Sequence, residues 1–469
     1  MADFDLAVIG SGPGGYVAAI RGAQNGLRVA LIEEHQLGGI CLNWGCIPTK
    51  ALLRSAEVCR EARQAASYGI KTESVTVDFP AIITRSREVA KSNEAGVAFL
   101  MKKHKIQVVN GRATIGPCNE HGVKLNVISA DGSSQDLTAT SLIIATGASP
   151  RQLAPYPADG VHYLTYRQAM ALQELPESLL VVGSGAIGLE LAWFFQTLGS
   201  SVTVVETLPQ ILPAEDAEVS RFLALSLTKQ GIRCLPGATL QQLQIVHDKV
   251  HASILDAKGN KVELSTSKVL FAVGMIPNTS QLGLEAEGIA CDEKGFIVVD
   301  HLQRTTLPNI YAIGDCTGKQ MLAHKASAEA EVAISAILGH SHPDLDYTQI
   351  PSALYCHPQV ASIGINEKRA QAANIEYNIG RYPFQASGKA RAIGHSEGFI
   401  KLLFHKESGQ LLGAQILGGD ATEMIATLGV AIHQKMTWEQ ISEIVFAHPT
   451  LSEAFSEAAL ASQKKAVHI

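Results

Sequence analysis

Residues 4–33, FDLAVIGSGPGGYVAAIRGAQNGLRVALIE, decide how this chain folds. The apolar run Phe4–Ile9 predicts a strand, and Gly10-Ser-Gly12-Pro-Gly-Gly15 follows it with no spacer. An Ala-rich stretch, Tyr16–Asn25, predicts a helix, and Arg28–Ile32 a second strand that ends at Glu33. Strand, glycine turn, helix and acidic strand end in that order form a βαβ dinucleotide-binding unit. Gly10 permits the tight turn, Gly12 lets backbone approach a pyrophosphate, and Gly15 lets helix pack on strand. The helix N-terminus faces the phosphates, and Glu33 can accept ribose hydroxyls.

The same pattern returns further along. Leu179–Val182 reads as a strand, Gly183-Ser-Gly185-Ala-Ile-Gly188 as the turn, Leu189–Leu198 as the helix, and Ser201–Val205 as a strand closed by Glu206. One 173-residue interval separates Gly10 from Gly183 and Glu33 from Glu206. Two dinucleotide sites on one chain follow from that duplication. The second site favours NAD over NADP: Glu206 can bond a free 2′-hydroxyl and repels a 2′-phosphate, and Thr207–Leu212 offers no Arg or Lys. A solvated strand end is the plain alternative for Glu206.

Outward from the first unit lies Gly38–Leu53, GGICLNWGCIPTKALL, with Cys41 and Cys46 five positions apart. The ring such a pair closes is too short to remove much chain entropy. Close thiols suit reversible disulfide exchange; two buried cysteines in a loop are the other reading. Residues 54–105 look mostly helical, with a break near Tyr68–Pro80. Leu142–Ala145 is a strand running into Thr146-Gly147, and Val269–Asn278, which contains Gly274, is the equivalent exit from the second unit. Asn309–Asp315 reads as a buried strand whose final Asp315 can bind a polyol hydroxyl or simply form a turn. From about residue 346 the apolar pattern alternates in Gly398–Phe404 and Leu411–Leu417, an antiparallel sheet. Helices at about 420–435, 438–445 and 450–463 follow.

Composition narrows the function. The 469 residues suffice for three or four folded units, and a net charge of −6 with no basic block argues against a nucleic-acid partner. The eight cysteines contain one close pair, so a secreted disulfide framework does not fit. The N-terminus enters a strand at once, with no leader, and no apolar run is long enough to span a membrane. A cytoplasmic protein is expected, or a matrix protein if a transit peptide has been removed. No metal site is expected.

The motifs GGxCLNxGCIPxKALL, the two fingerprints with acidic ends, ATG, AVGxxPN, AIGD, LAHKA and HPTLSE occur in that order. Taken together they resemble the class I flavoprotein disulfide reductases over essentially the whole chain. The resemblance implies an α/β fold of two Rossmann-like domains, one for FAD and one for NAD, and a C-terminal α+β interface domain. Domains are expected at 1–148 (FAD, with the redox disulfide), 149–275 (NAD), 276–345 (completing the FAD site) and 346–469 (dimerisation). It implies a homodimer in which the C-terminal domain completes the partner's active site. By the same resemblance Cys41 exchanges with substrate and Cys46 lies against the flavin. Lys50 lies near the isoalloxazine and pairs with Glu190, and Asp315 holds the ribitol. Ala113 and Ala323 contact the flavin through backbone, and His448 and Glu453 form the catalytic pair. Ile40 and Trp44 stand where the family often has Thr and Val, and Cys356 precedes His-Pro where Thr is common.

The reaction this implies is oxidation of a dihydrolipoyl dithiol to its disulfide, with electrons passing through Cys41–Cys46 and FAD to NAD⁺. Such an enzyme serves lipoyl domains of 2-oxoacid dehydrogenase or glycine cleavage complexes. A substrate thiolate needs a base, and imidazole titrates in the right range. His448 fills that role if Glu453 orients its ring. Thr450-Leu-Ser-Glu453 is also a capping box, in which Glu453 would only satisfy backbone N–H groups. A glutathione-type reductase and a non-catalytic flavin-bound complex subunit remain as alternatives.

Overall fold

The computed structural model describes residues 2–119 and 122–469. It divides into two units, residues 1–52, 80–151 and 274–345 in the first, and 53–79, 152–273 and 346–469 in the second.

The first unit is built on a seven-stranded sheet. Phe4–Ile9 lies in parallel register between Val29–Glu33 and Ser134–Ile144, with Gln107–Asn110 beyond Val29–Glu33. Arg112–Asn119 and Gly122–Ile128 extend the sheet antiparallel, and Ile310–Ala312 pairs parallel with Ser134–Ile144. Strand Phe4–Ile9 is covered on both faces, so it reads as a continuous apolar run. One face packs Ala7, Ile9, Leu142 and Ile144; the other packs Leu6, Val8, Leu31 and Ile143 beneath helix Pro13–Gln24. That helix begins three residues earlier than its Ala-rich stretch suggests, because Pro13 suits the first helical position, where its missing N–H is no loss.

The second unit repeats the doubly wound theme. Arg233–Pro236, Ser201–Glu206, Ser178–Val182, Lys268–Phe271 and Tyr163–Leu164 form a parallel sheet in that order. A three-stranded antiparallel sheet, Thr239–Val246, Lys249–Leu255 and Lys261–Thr266, packs its apolar side on it. The C-terminal part is a five-stranded antiparallel sheet containing Phe399–His405 and Leu411–Gly418. Helices Ala421–His433 and Ala454–Ala461 cover it. Lys401, with 2% of its side chain exposed, is held in this unit by Asp216 at 3.0 Å and by Glu218 and Glu367.

Asp315 departs from its expected place. Strand Ile310–Ala312 stops short of it, and the residue sits in a 3₁₀ turn, Gly314–Thr317, opened by Gly314 at φ 77°.

Candidate active site

Cys41 lies in the short helix Gly39–Asn43, and Cys46 is the first residue of helix Cys46–Arg63. Their sulfurs are joined in a disulfide, with Cα atoms 4.7 Å apart. A cysteine at a helix start faces the positive end of the dipole, which favours its thiolate after reduction. Side chains fasten the segment: Asn43 Nδ2 donates to the Leu37 and Gly39 carbonyls at 2.9 and 3.0 Å, and Ser86 Oγ donates to the Pro48 carbonyl at 3.1 Å. Among the described residues the other six cysteines take no part in a disulfide. Burial pushes Cys118 and Cys234 up to about 11 and Cys316 up to about 12, so these three stay protonated near neutrality.

The two glycine turns match atom for atom. A Cβ on Gly10 would stand 2.4 Å from the Ala145 carbonyl oxygen, and one on Gly183 2.3 Å from that of Ala272. A Cβ on Gly15 would reach within 1.8 Å of the Gly10 oxygen, and one on Gly188 within 2.1 Å of the Gly183 oxygen. At Gly12 and Gly185 the same atom would meet nothing within 4 Å, which leaves a cradle open above each helix start. Gly147 and Gly274, both at positive φ, leave similar space. Thr146 Oγ1 is buried with no hydrogen-bond partner among the described residues. An open cradle over uncapped helix N–H groups, with a buried hydroxyl lacking a partner in the same unit as the first, fits a bound dinucleotide.

Both acids are engaged alike. Glu33 Oε2 accepts from the Ser11 N–H at 2.9 Å and its hydroxyl at 2.5 Å; Glu206 Oε2 accepts from the Ser184 N–H at 2.9 Å and its hydroxyl at 2.8 Å. Burial opposes ionisation of Glu206, but the Leu208 and Ser184 N–H groups outweigh it and hold its pKa below the ordinary value. Glu206 is therefore anionic near neutrality. Ser11 and Ser184 escape a reading of these turns as glycine positions alone. Their signal was present, since both occupy the first x of GxGxxG.

Asp315 is buried, which pushes its pKa up, while the Lys325 ammonium works the other way. Its turn is held by an ion pair with no exposed side-chain surface. Lys325 Nζ donates to the carbonyls of Gly314 and Gly318 at 2.9 and 3.4 Å and meets Glu329 Oε2 at 3.0 Å. Glu329 Oε2 also accepts the Gly314 N–H at 2.7 Å. In sequence this i,i+4 pair looks like a solvated helix face. Ala323 is the first residue of the helix carrying it, and Ala113, 2% exposed, lies in strand Arg112–Asn119. Lys50 is one turn past Cys46 on helix Cys46–Arg63. Glu190 is buried in helix Ala186–Leu198, where its Oε1 accepts the Tyr355 N–H at 3.0 Å.

In the second unit His448 Nδ1 and Glu453 Oε1 are 2.8 Å apart, while Glu453 Oε2 accepts the Thr450 N–H at 2.8 Å. One oxygen of Glu453 thus meets the His448 ring and the other caps the turn. Burial resists its ionisation, but the Thr450 N–H and the His448 ring prevail and keep its pKa below the ordinary value. With Oε1 accepting from Nδ1–H, Nε2 is left as the basic nitrogen. The His448 side chain is 82% exposed, so solvent screens the charge of this pair.

Residues 4–330 match the family model described as pyridine nucleotide-disulphide oxidoreductase, and residues 350–459 match the dimerisation domain of the same family. The chain belongs to this family. Its members are oxidoreductases that use FAD and NAD(H), and the dimerisation domain supports a homodimer. The chain is similar to the dihydrolipoyl dehydrogenase of Chlorobaculum parvum, at 46% identity over 98% of this chain and 97% of the relative. It is equally similar to that of Zymomonas mobilis, 46% over 100% of both. Among solved structures it resembles LpdA of Mycobacterium tuberculosis, with TM-score 0.90, 29% identity, and 97% and 98% of the two chains covered. It also resembles the Escherichia coli HOCl-induced flavoprotein disulfide reductase RclA in its Cu(II) complex, with TM-score 0.86, 27% identity, and 98% and 99% covered. The expected fold class is that of the family. Among the described residues no helix is long and apolar enough to cross a membrane.

Proposed function

We propose that this chain oxidises dihydrolipoyl groups to the disulfide and reduces NAD⁺ to NADH, using Cys41–Cys46 and FAD. The observation that carries the reading is a disulfide at a helix start, in the same unit as an open dinucleotide cradle. Relatives named dihydrolipoyl dehydrogenase over the full length support the substrate class. Residues 1–148 and 276–345 hold FAD, with Ala113, Thr146, Asp315 and Ala323 among its contacts. Residues 149–275 hold NAD, and 346–469 dimerise. The lipoyl group arrives on a partner domain of a 2-oxoacid dehydrogenase or glycine cleavage complex. FAD, when bound, supplies the two-electron relay between dithiol and nicotinamide.

The chain's own residues do the thiol chemistry. His448 Nε2 takes the proton from a substrate thiol, and Glu453 holds the ring in the tautomer that leaves this nitrogen basic. The substrate thiolate attacks Cys41 Sγ; the Cys41–Cys46 bond breaks and its electron pair leaves on Cys46. The second substrate thiol, deprotonated in turn, attacks the mixed disulfide and releases Cys41. The substrate departs as its disulfide, with two electrons left on the cysteine pair. Lys50 would supply positive charge to the site that holds FAD. The C-terminal region of one protomer completes the site of its partner.

The test is spectrophotometric: NAD⁺ reduction by dihydrolipoamide, with NADP⁺ as alternative acceptor and glutathione disulfide plus NADPH as the control pair. Rapid NADH formation only with the first pair is expected. Turnover of glutathione disulfide with none of dihydrolipoamide would overturn the proposal.

A further inference from the structure

Trp44 stands inside the cysteine segment, between Cys41 and Cys46. The guanidinium of Arg87, from helix Phe79–Lys103, lies over its ring, 4.3 Å from the centroid. Arg87 Nη1 also donates to the Asn43 carbonyl at 2.7 Å, at the end of the short helix that holds Cys41. Its Nε and Nη2 are buried with no hydrogen-bond partner among the described residues. Among the described residues no carboxylate lies against this cation, and burial alone pushes its pKa down. An arginine stays charged even so. The segment around the disulfide therefore carries a half-buried positive charge met, among the described residues, by an indole face and a peptide carbonyl. Such a charge gains most when a negative one forms close by.

Reduction forms that negative charge. The Sγ–Sγ bond breaks as two electrons arrive from a dithiol, which is oxidised to its own disulfide. Of the dithiol's two protons one stays on the cysteine pair and one is released, leaving one thiol and one thiolate. We infer that Arg87, docked on Trp44, is a positioning residue that stabilises the thiolate form of the reduced Cys41–Cys46 pair. Two other cations share the stretch: Lys50, four residues past Cys46, and Arg85, which donates to the Ala51 carbonyl at 2.9 Å. Glu88, beside Arg87 in sequence, is exposed to solvent.

The inference rests on the dithiol reading above, and the experiment keeps the two apart. In the holoenzyme the midpoint potential of the pair is measured against a dithiothreitol redox buffer for wild type, Arg87→Met, Arg87→Gln and Arg87→Lys. The pH profile of Cys41 alkylation by iodoacetamide is measured for each in a Cys46→Ser background. A unit charge about 10 Å from a thiolate, at an effective dielectric of about 20, shifts its ionisation on the order of tenfold. Arg87→Met and Arg87→Gln are expected to lower the alkylation rate about tenfold below the thiol pKa. They should also lower the reduction equilibrium about tenfold, or about 30 mV for two electrons. Arg87→Lys should recover most of both. If Arg87→Met fails to fold, Arg87→Gln, which can still donate to Asn43, decides the matter. Unmoved profiles, or Arg87→Lys behaving like Arg87→Met, would overturn the inference, because the role would then be packing. Failure of wild type to be reduced by dihydrolipoamide would instead sink the dithiol reading.

Discussion

Replacing Glu453 by Gln separates its two hydrogen bonds. The carboxylate uses one oxygen on His448 Nδ1 and the other on the Thr450 N–H, both at 2.8 Å. An amide has one oxygen. If that oxygen stays on Thr450, the NH₂ group faces Nδ1 and forces the tautomer in which Nε2 carries the proton. His448 then cannot act as base. If the amide turns over, its NH₂ group opposes the Thr450 N–H, and an unsatisfied donor of this kind costs about 1–3 kcal/mol. That energy is the price of keeping the productive tautomer, and it corresponds to roughly a 5- to 150-fold loss in rate. Loss of the anion that steadies the imidazolium adds to it. kcat/KM for dihydrolipoamide should therefore fall by about two orders of magnitude. Oxidation of NADH by ferricyanide needs no thiol base and should stay within about twofold of wild type. The melting temperature should change little, since the cap bond can persist. Equal losses in both assays, or an unchanged dihydrolipoamide rate with a lowered melting temperature, would refute the reasoning and leave Glu453 as a cap alone.

Three further outcomes are expected. Cys46→Ser should abolish dihydrolipoamide turnover while the purified protein keeps its flavin absorbance; a colourless variant would contradict the role given to the pair. Gly188→Ala places a methyl group where a Cβ stands 2.1 Å from the Gly183 oxygen, so NAD binding measured by calorimetry should be lost with FAD retained. Lys325→Met leaves Glu329 buried without its cation, a loss of about 3–5 kcal/mol in urea unfolding. The double variant Lys325→Met/Glu329→Met should recover part of it, and a double variant less stable than the single one would show that the charges are not coupled.

Much of the fold was legible because its signals are local. A strand, a glycine turn, a helix and an acid within thirty residues are each set by neighbours in the chain, and their repetition after a constant interval needs no contact to be read. The helix starts were less legible. Leu189 looks like the first residue of its helix, yet the helix begins at Ala186, because the glycine at 185 serves as N-cap in extended conformation without a side-chain cap. Asp315 was legible as a residue and misplaced as an element, since a strand ending in Gly-Asp and a 3₁₀ turn share the same letters. Glu453 carried two meanings in sequence, and the structure gives each a hydrogen bond, Oε1 with His448 and Oε2 with the Thr450 N–H.

What the sequence by itself determined is the duplicated dinucleotide scaffold, the close cysteine pair, and the acids that end two strands. What only the tertiary structure decided is which distant groups act on them. Arg87 reaches Trp44 from forty-three residues away, and Lys325 with Glu329 closes on a turn formed eleven residues earlier. The reason is the range of the forces: backbone preference and periodicity act along the chain, whereas the fate of a buried charge depends on what packing brings within a few ångströms of it.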